Sequence, residues 1–487
     1  MNIVQKVARN SGIILIGNIL SKLVGLLVIF FLARYLGRVG FGEYSFALVF
    51  LYFFTIIENI WLKPILVREM AKDNTEAGIL MGNIILIKVL FSFIFIALVL
   101  LAIQFIDCSI DVRKLIYLVL IILPLSSLNT SYEIIFRVHL AMKYFIVTLL
   151  SCDILFVILV LGIIYFNGPI PYFIIAMILT KLISLFSLIY FSKRFVKVKL
   201  RINFELWKRI LIQSWPLALT AIFIAAYFKI DQIMLFKMKG SAAVGLYSPA
   251  VRIVEFFNLI PLALVGSTFP LMSRYFESSM KHFKQIYQLS FKYLTMLIIP
   301  IAAGITLFSK SIILLIFGRE FIASSVPLIF LIWSEVFIFF GIVNRCILIA
   351  SNKQRLDPVF SGVCALINVV LNLVLIPRYS FVGAAVATLI SYAAIPIVGY
   401  LIQTSREYAQ CMFQNMARPI FASGAMACIV YFFHLPFGLS LIISPTIYLV
   451  LMYIIKGIKQ EDIQIVRSII SGRNKIKSVI MPEGLTL

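Results

Sequence analysis

Long apolar runs separated by short polar turns follow one another along almost the whole chain. A helix needs about 20 apolar residues to cross the hydrocarbon core of a bilayer, and about fourteen of the runs reach that length. The pattern predicts spans near 11–33, 44–66, 79–106, 115–135, 146–166, 172–191, 210–236, 245–272, 290–309, 326–350, 359–377, 381–402, 419–434 and 439–457. The sequence therefore predicts an all-α polytopic membrane protein.

A second pattern is superimposed on the spans. The turn between the first two spans carries the spacing Gly37-x4-Gly42-x-Tyr44-Ser45-x-Ala47. The same spacing returns 203 residues later, without a gap, as Gly240-x4-Gly245-x-Tyr247-Ser248-x-Ala250. Apolar segments resemble each other by composition alone, but these small and polar identities stand at the same place relative to the hydropathy boundary. Self-similarity at a fixed offset indicates a duplicated fold, and paired halves are common in membrane transporters.

The repeat predicts two pseudo-symmetric lobes of six helices each, followed by two further helices. The predicted division is an N-lobe over 1–191, a linker over 192–209, a C-lobe over 210–402, two spans within 403–457 and a tail over 458–487. The linker, SKRFVKVKLRINFELWKR, contains seven Lys and Arg residues. A basic amphipathic segment of this kind is typical of the membrane surface.

Composition and charge agree with a membrane protein and set its orientation. The chain of 487 residues is 62% hydrophobic and 13% charged, with mean hydropathy +1.07, more apolar surface than a soluble fold covers. The net charge is +23, and the basic residues concentrate in loops and the tail. They indicate contacts with anionic lipids rather than nucleic acid, because no aromatic-basic module is visible. If both termini are cytoplasmic, the larger share of the Lys and Arg residues falls on the cytoplasmic side of the membrane, and we predict this orientation for a multi-pass cell-membrane protein. The first helix is predicted to remain uncleaved. The tail is expected to be an interfacial helix or a solvated segment.

The sequence contains no pattern that predicts covalent chemistry. The six cysteines are scattered and the three histidines are isolated, so neither disulfides nor a metal site is indicated. A phosphate-cradling G-x4-G-K-[ST] loop and a nucleophile triad are also absent from the sequence. We therefore predict a protein that is not an enzyme, has no cofactor, and takes any driving force from an ion gradient or from consumption of the product.

Ionisable residues within spans are the candidate functional residues, because charges at membrane depth are costly and mark substrate or ion pathways. Lys22 lies in the middle of the first span, and Asn18 and Gly25 recur with it at helical spacing on one face. The other charged candidates, spread over both lobes, are Glu58, Lys63, Lys88, Asp153, Lys181, Lys229, Asp231, Arg252, Glu255, Glu335 and Arg345.

This set is mostly cationic, with a few carboxylates. Such a composition suits an anionic substrate group held in a wet cavity between the lobes, together with an acid that takes up H⁺ or Na⁺. Two other interpretations remain open. Lys63, Lys181 and Arg345 can lie near helix ends and extend to the interface, and Arg252 with Glu255, three residues apart, can form a structural ion pair.

Four stretches resemble the multidrug/oligosaccharidyl-lipid/polysaccharide exporter superfamily, and most closely its polysaccharide-transporter branch of O-antigen and capsule-repeat flippases. They are Leu32-Ala-Arg-Tyr-Leu-Gly37 with its turn, Asp231-Gln-Ile through Ser248, Arg252-Ile-Val-Glu255 leading to Phe269-Pro-Leu-Met-Ser-Arg274, and Asn372-Leu-Val-Leu-Ile-Pro-Arg-Tyr379 with Gly383-Ala-Ala. The resemblance covers essentially the whole chain.

The resemblance implies a V-shaped pair of bundles that moves an undecaprenyl-diphosphate-linked oligosaccharide from the cytoplasmic to the outer leaflet, coupled to H⁺ or Na⁺. Lys22 and Arg252 would contact the diphosphate, and Lys63, Lys229 and Arg345 would add positive field around the sugar. Asp231 or Glu255 would be the coupling carboxylate, with Glu58 as a further candidate. The implied partners are the lipid-linked oligosaccharide, membrane lipids, and a polysaccharide polymerase with its chain-length machinery.

Three alternatives remain. The peptidoglycan lipid II flippase branch carries Ser-Arg-x-x-Gly-x-x-Arg in its first helix, whereas this chain has Ser21-Lys22-x-x-Gly25-x-x-Val28 and lacks the second cation. A multidrug exporter would favour an acidic or apolar cavity, which is opposite to the charge bias found here. A membrane glycan polymerase or ligase would need large extracytoplasmic loops, and the predicted outer loops are short.

Overall fold

The computed structural model describes residues 3–72, 77–460 and 462, and within them it is helical with no strand. Its helices are α1 Ile3–Lys72, α2 Ala77–Ala102, α3 Ile110–Val138, α4 Met142–Tyr165, α5 Ile170–Ser192, α6 Phe204–Lys239, α7 Ser241–Phe257, α8 Leu259–Ser278, α9 Met280–Ile316, α10 Ser325–Ala350, α11 Asp357–Leu401, α12 Arg406–Phe432 and α13 Phe437–Ile454. Short 3₁₀ turns lie at Ile103–Phe105, Arg319–Ser324 and Gln354–Leu356.

The helices confirm the predicted fold class of a polytopic α-helical membrane protein. Eleven helical stretches among the described residues are long and apolar enough to cross a membrane. Three long helices contain a non-helical residue, Gly37 in α1, Phe308 in α9 and Ser380 in α11. The predicted number of fourteen spans stays a prediction, as do the predicted lobe boundaries. Most of the predicted tail, 463–487, lies outside the described residues.

The sequence repeat has a direct counterpart in the backbone. Gly37 and Gly240, which are related by the repeat, both have positive φ, at 63° and 80°, and extended ψ. A side chain at either position would be strained, and glycine carries no such penalty. Gly37 therefore turns the chain within α1, and Gly240 turns it between α6 and α7.

The second pair of repeat-related glycines lies where the two halves meet. A Cβ built on Gly42 would lie 1.9 Å from the carbonyl oxygen of Ser241, and one built on Gly245 would lie 1.8 Å from that of Arg38. Because Ser241 is the repeat equivalent of Arg38, the contact has two-fold pseudo-symmetry. Nearby, the rings of Phe46 and Phe236 stack with centroids 3.6 Å apart. Backbone and aromatic packing thus join α1 to α6 and α7.

The basic linker is bound across α2 rather than suspended between the lobes. Residues 196–203 have no regular secondary structure, and α6 begins at Phe204, within the predicted linker. The linker backbone approaches α2 so closely that a Cβ on Gly82 would lie 2.0 Å from the carbonyl oxygen of Lys199. Asn83 then donates to the Arg201 carbonyl and accepts from the backbone N–H of Asn203 and the Trp207 indole N–H.

Candidate functional site

A cavity of about 490 Å³ lies between α1 and the helices of the second half. From α1 it receives Lys22, Tyr52, Thr55 and Asn59. The facing helices supply aromatic, amide and charged groups, together with aliphatic side chains. These groups are Tyr227, Phe228 and Lys229 of α6, Glu255 of α7, Asn258 between α7 and α8, Asn344 and Arg345 of α10, and Asp357 and Ser361 of α11. The cavity therefore has walls from both predicted lobes.

Glu255 is the centre of a cationic cluster in this cavity. Its carboxylate lies 2.5 Å from the Lys229 ammonium and 3.7 Å from the Arg252 guanidinium. Lys22 reaches across from α1 and donates to the backbone carbonyl of Glu255 at 2.8 Å. Three of the predicted cations therefore converge on one residue, and one of the three comes from the other lobe. The buried carboxylate of Glu335 on α10 lies close enough to interact with Lys22 and with Glu255. The cluster therefore has three cations and two carboxylates, which is an excess of one positive charge.

Tyr52 completes the cluster from the α1 side. The centroid of its ring lies 4.5 Å from the Arg252 guanidinium carbon and 5.0 Å from the Lys229 nitrogen. A cation over an aromatic face is stabilised by the ring quadrupole, so Tyr52 holds both cations at the cavity wall. Tyr52 was not among the predicted residues, because a tyrosine within an apolar span has the same pattern as a packing residue.

A second charged pair lines the cavity nearer the turn that joins α10 to α11. The Arg345 guanidinium donates to the Asp357 carboxylate at 2.9 Å, and the Asp357 side chain is buried. Arg345 is thus held inside the site and does not extend away to an interface. Asp357 was missed because it precedes the predicted span 359–377, and an acidic residue at the start of a helix is expected on helix-dipole grounds alone.

The charge balance of the site favours an anion. Four cationic groups, Lys22, Lys229, Arg252 and Arg345, lie at the site with three carboxylates, namely Glu255, Asp357 and Glu335, the last of which interacts with Lys22. Lys and Arg make the strong charge-assisted hydrogen bonds that phosphate and carboxylate groups accept. The site is thus able to hold a phosphorylated or otherwise anionic group against aromatic and aliphatic walls.

Two predicted binding residues, Arg252 and Asn18, are not cavity-lining residues, although Arg252 contacts Glu255 and Tyr52, which are. Asn18 is half-buried on α1, one helical turn before Lys22, and is not a cavity-lining residue. The side chain of Lys63 lies outside the described residues.

Glu58, a predicted coupling residue, is paired inside the first half of the chain. Its carboxylate lies 2.8 Å from the Lys88 ammonium, with both side chains almost fully buried, and accepts from the Ser127 hydroxyl. The partner Lys88 comes from α2 and Ser127 from α3. The sequence did not indicate this pair because the two charges are in different helices.

Asp231, another predicted coupling residue, is buried beside the cavity and has neutral hydrogen-bond partners. Its carboxylate accepts from the Tyr247 hydroxyl and from the backbone N–H of Gln232. A chain of buried polar side chains on α11 continues nearby, in which Asn372 donates to Asn368 and Asn368 donates to Ser391. The amide oxygen of Asn372 is buried and has no hydrogen-bond partner among the described residues. Asp231 therefore differs from Glu255, whose carboxylate is occupied by two cations.

More than half of the chain matches one known protein family. The family described as polysaccharide biosynthesis protein matches residues 7–276, which is more than half of the chain. The chain belongs to this family. A second family, MatE, matches residues 216–374. The resemblance found in the sequence to polysaccharide transporters of the exporter superfamily is thereby confirmed.

Individual relatives match shorter parts. The chain is 32% identical over 153 residues to a probable low-salt glycan biosynthesis flippase, Agl15, of Haloferax volcanii, covering 31% of this chain and 32% of that protein. It is 26% identical over 211 residues to the capsular polysaccharide biosynthesis protein CapF of Staphylococcus aureus, covering 42% and 52%. These matches span about a third to a half of the relatives' length.

Solved structures confirm the fold over nearly the full length. A lipid II flippase, MurJ, in an inward closed conformation superposes with a TM-score of 0.72 at 17% identity, covering 90% of this chain and 98% of that one. An inward-facing multidrug resistance transporter of the MATE family gives 0.66 at 16% identity, covering 82% and 96%. At these identities the likeness is one of fold.

Proposed function

We propose that this protein is a flippase that carries a polyprenyl-diphosphate-linked oligosaccharide from the cytoplasmic to the outer leaflet of the cell membrane by alternating access. The observation that carries the proposal is the convergence of cations from both halves of the chain on one interlobe cavity. The names of the relatives support a glycan flippase. The absence of a second first-helix cation, at Val28, argues against lipid II as the substrate.

The geometry suggests how the headgroup is held. The diphosphate is placed against Lys22, Lys229 and Arg252, where it competes with the Glu255 carboxylate for the same cations. Arg345 lies at the other charged pair and is assigned to the sugar side, where Asn344 and Ser361 also line the wall. Each contact between the diphosphate and one of these cations replaces part of the contact that this cation makes with Glu255. The competition therefore keeps binding weak enough for the headgroup to be released.

The Lys22 contact is also the one that must change during transport. Its bond to the Glu255 carbonyl joins α1 to α7 through the substrate site. A phosphate that takes over the Lys22 ammonium removes this bond between the lobes. Substrate arrival thereby loosens one interlobe contact, which links occupancy of the site to the rocking of the two halves. We assign both termini to the cytoplasm on the distribution of Lys and Arg.

Asp231 is our choice for the coupling carboxylate. Glu255 is neutralised by Lys229 and Arg252, and Glu58 by Lys88, whereas the hydrogen bonds to Asp231 come from the neutral donors Tyr247 and Gln232. A buried carboxylate with neutral partners gains more from taking up H⁺ or Na⁺ than one that already has an ammonium beside it. Asp231→Asn is expected to remove the response of transport to an imposed H⁺ or Na⁺ gradient in proteoliposomes, while substrate binding persists. A gradient response equal to that of the wild type would exclude Asp231.

Export of cationic drugs is the second candidate, because the MatE family matches residues 216–374 and aliphatic groups line much of the cavity. The charge balance argues against it, since cations outnumber carboxylates at the site and repel a cationic drug.

The test is a leaflet assay in a strain that lacks the gene. The lipid-linked oligosaccharide should accumulate on the cytoplasmic face, and wild-type protein should restore it to the outer face. Lys22→Ala and Arg252→Ala should fail at normal membrane levels, while Lys310→Ala, an exposed cation at the far end of α9, should restore transport. Full activity of both cavity variants would refute the site. Drug sensitivity without trapped oligosaccharide would replace the flippase with the exporter.

A further inference from the structure

A second and larger cavity lies away from the lobe interface. Its volume is about 720 Å³, and its wall is formed by residues within 282–296 of α9, residues within 411–419 of α12, and Gly457, Lys459 and Asp462 after α13. The charge distribution places all three at the cytoplasmic side. None of the residues that line the central cavity lines this one, so the two are separate sites.

The segment after α13 is fixed to α9 by a single acidic residue. The Asp462 carboxylate lies 2.5 Å from the Lys292 ammonium, and accepts from the Tyr293 hydroxyl and from the backbone N–H of Lys459. Burial alone would raise the pKa of the Asp462 carboxyl, but these hydrogen bonds and the Lys292 charge hold it below its usual range. Asp462 is therefore ionised at neutral pH, and Lys292 is neutralised by it.

Two further cations in the cavity have no carboxylate partner among the hydrogen bonds and ion pairs of the described residues. Arg418 of α12 donates one N–H to the Lys456 carbonyl at 2.9 Å, which leaves most of the five guanidinium donors for other partners. Lys459 has an exposed side chain at the rim. With Asp462 balanced by Lys292, the cavity keeps an excess of two positive charges.

The rest of the wall fits a ligand that has a polar headgroup and an apolar part. Gln285, Gln288 and Gln414 line the outer part and supply amide donors and acceptors for hydroxyl groups. Met296 of α9 and Met452 of α13 are less exposed than these glutamines and line the deeper part of the cavity. The cavity thus has cations and amides near its mouth and thioether and aliphatic groups below them.

We propose that this cleft binds a phosphate-bearing headgroup at the cytoplasmic membrane surface, with Arg418 and Lys459 as the phosphate ligands. A phosphate accepts charge-assisted hydrogen bonds from these two kinds of donor, bidentate from Arg and as a point charge from Lys. The chain's own tail is a poor occupant, since 463–487 contains four Lys and Arg residues against one Glu. Binding at this cleft does not depend on the proposed transport function, and it is measured without a transport assay.

The phosphate can belong to an anionic lipid or to a soluble ester, and one experiment separates the two sources. Full-length protein in detergent is titrated with a fluorescent short-chain phosphatidylglycerol, and then with sn-glycerol phosphate as competitor. Displacement by millimolar glycerol phosphate would identify a soluble ligand. Displacement only by unlabelled phosphatidylglycerol would identify the lipid.

The decisive comparison uses two double variants of equal charge change. Arg418→Gln with Lys459→Gln should weaken phosphatidylglycerol binding about tenfold or more, given the usual strength of charge-assisted hydrogen bonds. Lys281→Gln with Lys284→Gln removes two cations from the same end of α9 outside the cleft wall, and should leave binding within about twofold. Equal losses in both variants, or no loss in either, would overturn the site. The four side chains are at least partly exposed, so unchanged melting temperatures are expected.

Discussion

The contact between Gly42 and Gly245 makes a quantitative prediction about how the two halves close. In Gly42→Ala the new methyl group would lie 1.9 Å from the Ser241 carbonyl oxygen, whereas ordinary contact begins at 3.4 Å. The difference of about 1.5 Å cannot be absorbed by a side chain, because both partners are backbone. The lobes must therefore separate at this point, or the helices must distort.

The cost follows from overpacking. Inserting a methyl group into a close contact costs about 1–3 kcal/mol when the surroundings cannot give way. If the protein alternates between an arrangement with this contact and one without it, the cost falls on the first arrangement only. The equilibrium should shift about 5- to 150-fold towards the arrangement that lacks the contact. Gly245→Ala should act in the same direction, and the double variant should add little, because both methyl groups oppose one contact.

The assay measures the separation of the predicted outer turns. Spin labels attached through non-natural amino acids at Val39 and Ile322, which are both exposed, report the distance between α1 and the 3₁₀ turn before α10. The distribution should move to longer distances in Gly42→Ala, and transport should slow. Gly304→Ala is the matched control, because nothing lies within 4 Å of a Cβ at that glycine. An unchanged distribution with normal transport in Gly42→Ala would refute the role of the contact.

Three other substitutions test separate parts of the structure. Lys88→Met leaves Glu58 buried without its counter-ion and should destabilise the protein by about 3–5 kcal/mol, measured by thermal unfolding in detergent, with Glu58→Gln restoring part of the loss. Asn83→Leu removes three hydrogen bonds to the linker, and limited proteolysis should then cut within 193–203 faster than in wild type; equal cutting rates would show that the glycine contacts alone hold it. Glu255→Gln removes the counter-charge of Lys229, so pyrophosphate should bind more tightly and with a steeper salt dependence, while unchanged binding would place the anion elsewhere.

The hydropathy pattern was sufficient to predict the fold class, and the repeat spacing was sufficient to predict the paired turns. Gly37 and Gly240 could be predicted because only glycine adopts their backbone geometry without strain, and the same constraint applies at two places in the chain. Lys22 could be predicted because a charge in mid-span is costly unless it faces a polar cavity or a counter-charge. These inferences depend on local properties of one segment, which a sequence displays directly.

The partners of the charged residues could not be predicted in the same way. A span that is apolar on nearly all sides has no stripe to indicate which face meets which neighbour. The pairing of Glu58 with Lys88, of Arg345 with Asp357, and of Tyr52 with two cations depends on helix rotation and is visible only in three dimensions. Asn18 shows the converse, since helical spacing placed it on the face of Lys22 but the cavity ends before reaching it.

The two halves of the chain are alike at the glycine contact but differ in the cationic residues that they contribute to the cavity. The glycine contact is symmetric, with Gly42 and Arg38 on one side and Gly245 and Ser241 on the other. The cationic cluster is not symmetric, because Lys229, Arg252 and Glu255 belong to the second half and Lys22 alone crosses from the first. A symmetric contact lets the halves close evenly at one end, whereas an asymmetric cluster keeps the bound anion with one lobe while the other moves. The second half is therefore expected to retain most of the anion affinity when Lys22 is removed, and to lose it when Arg252 is removed.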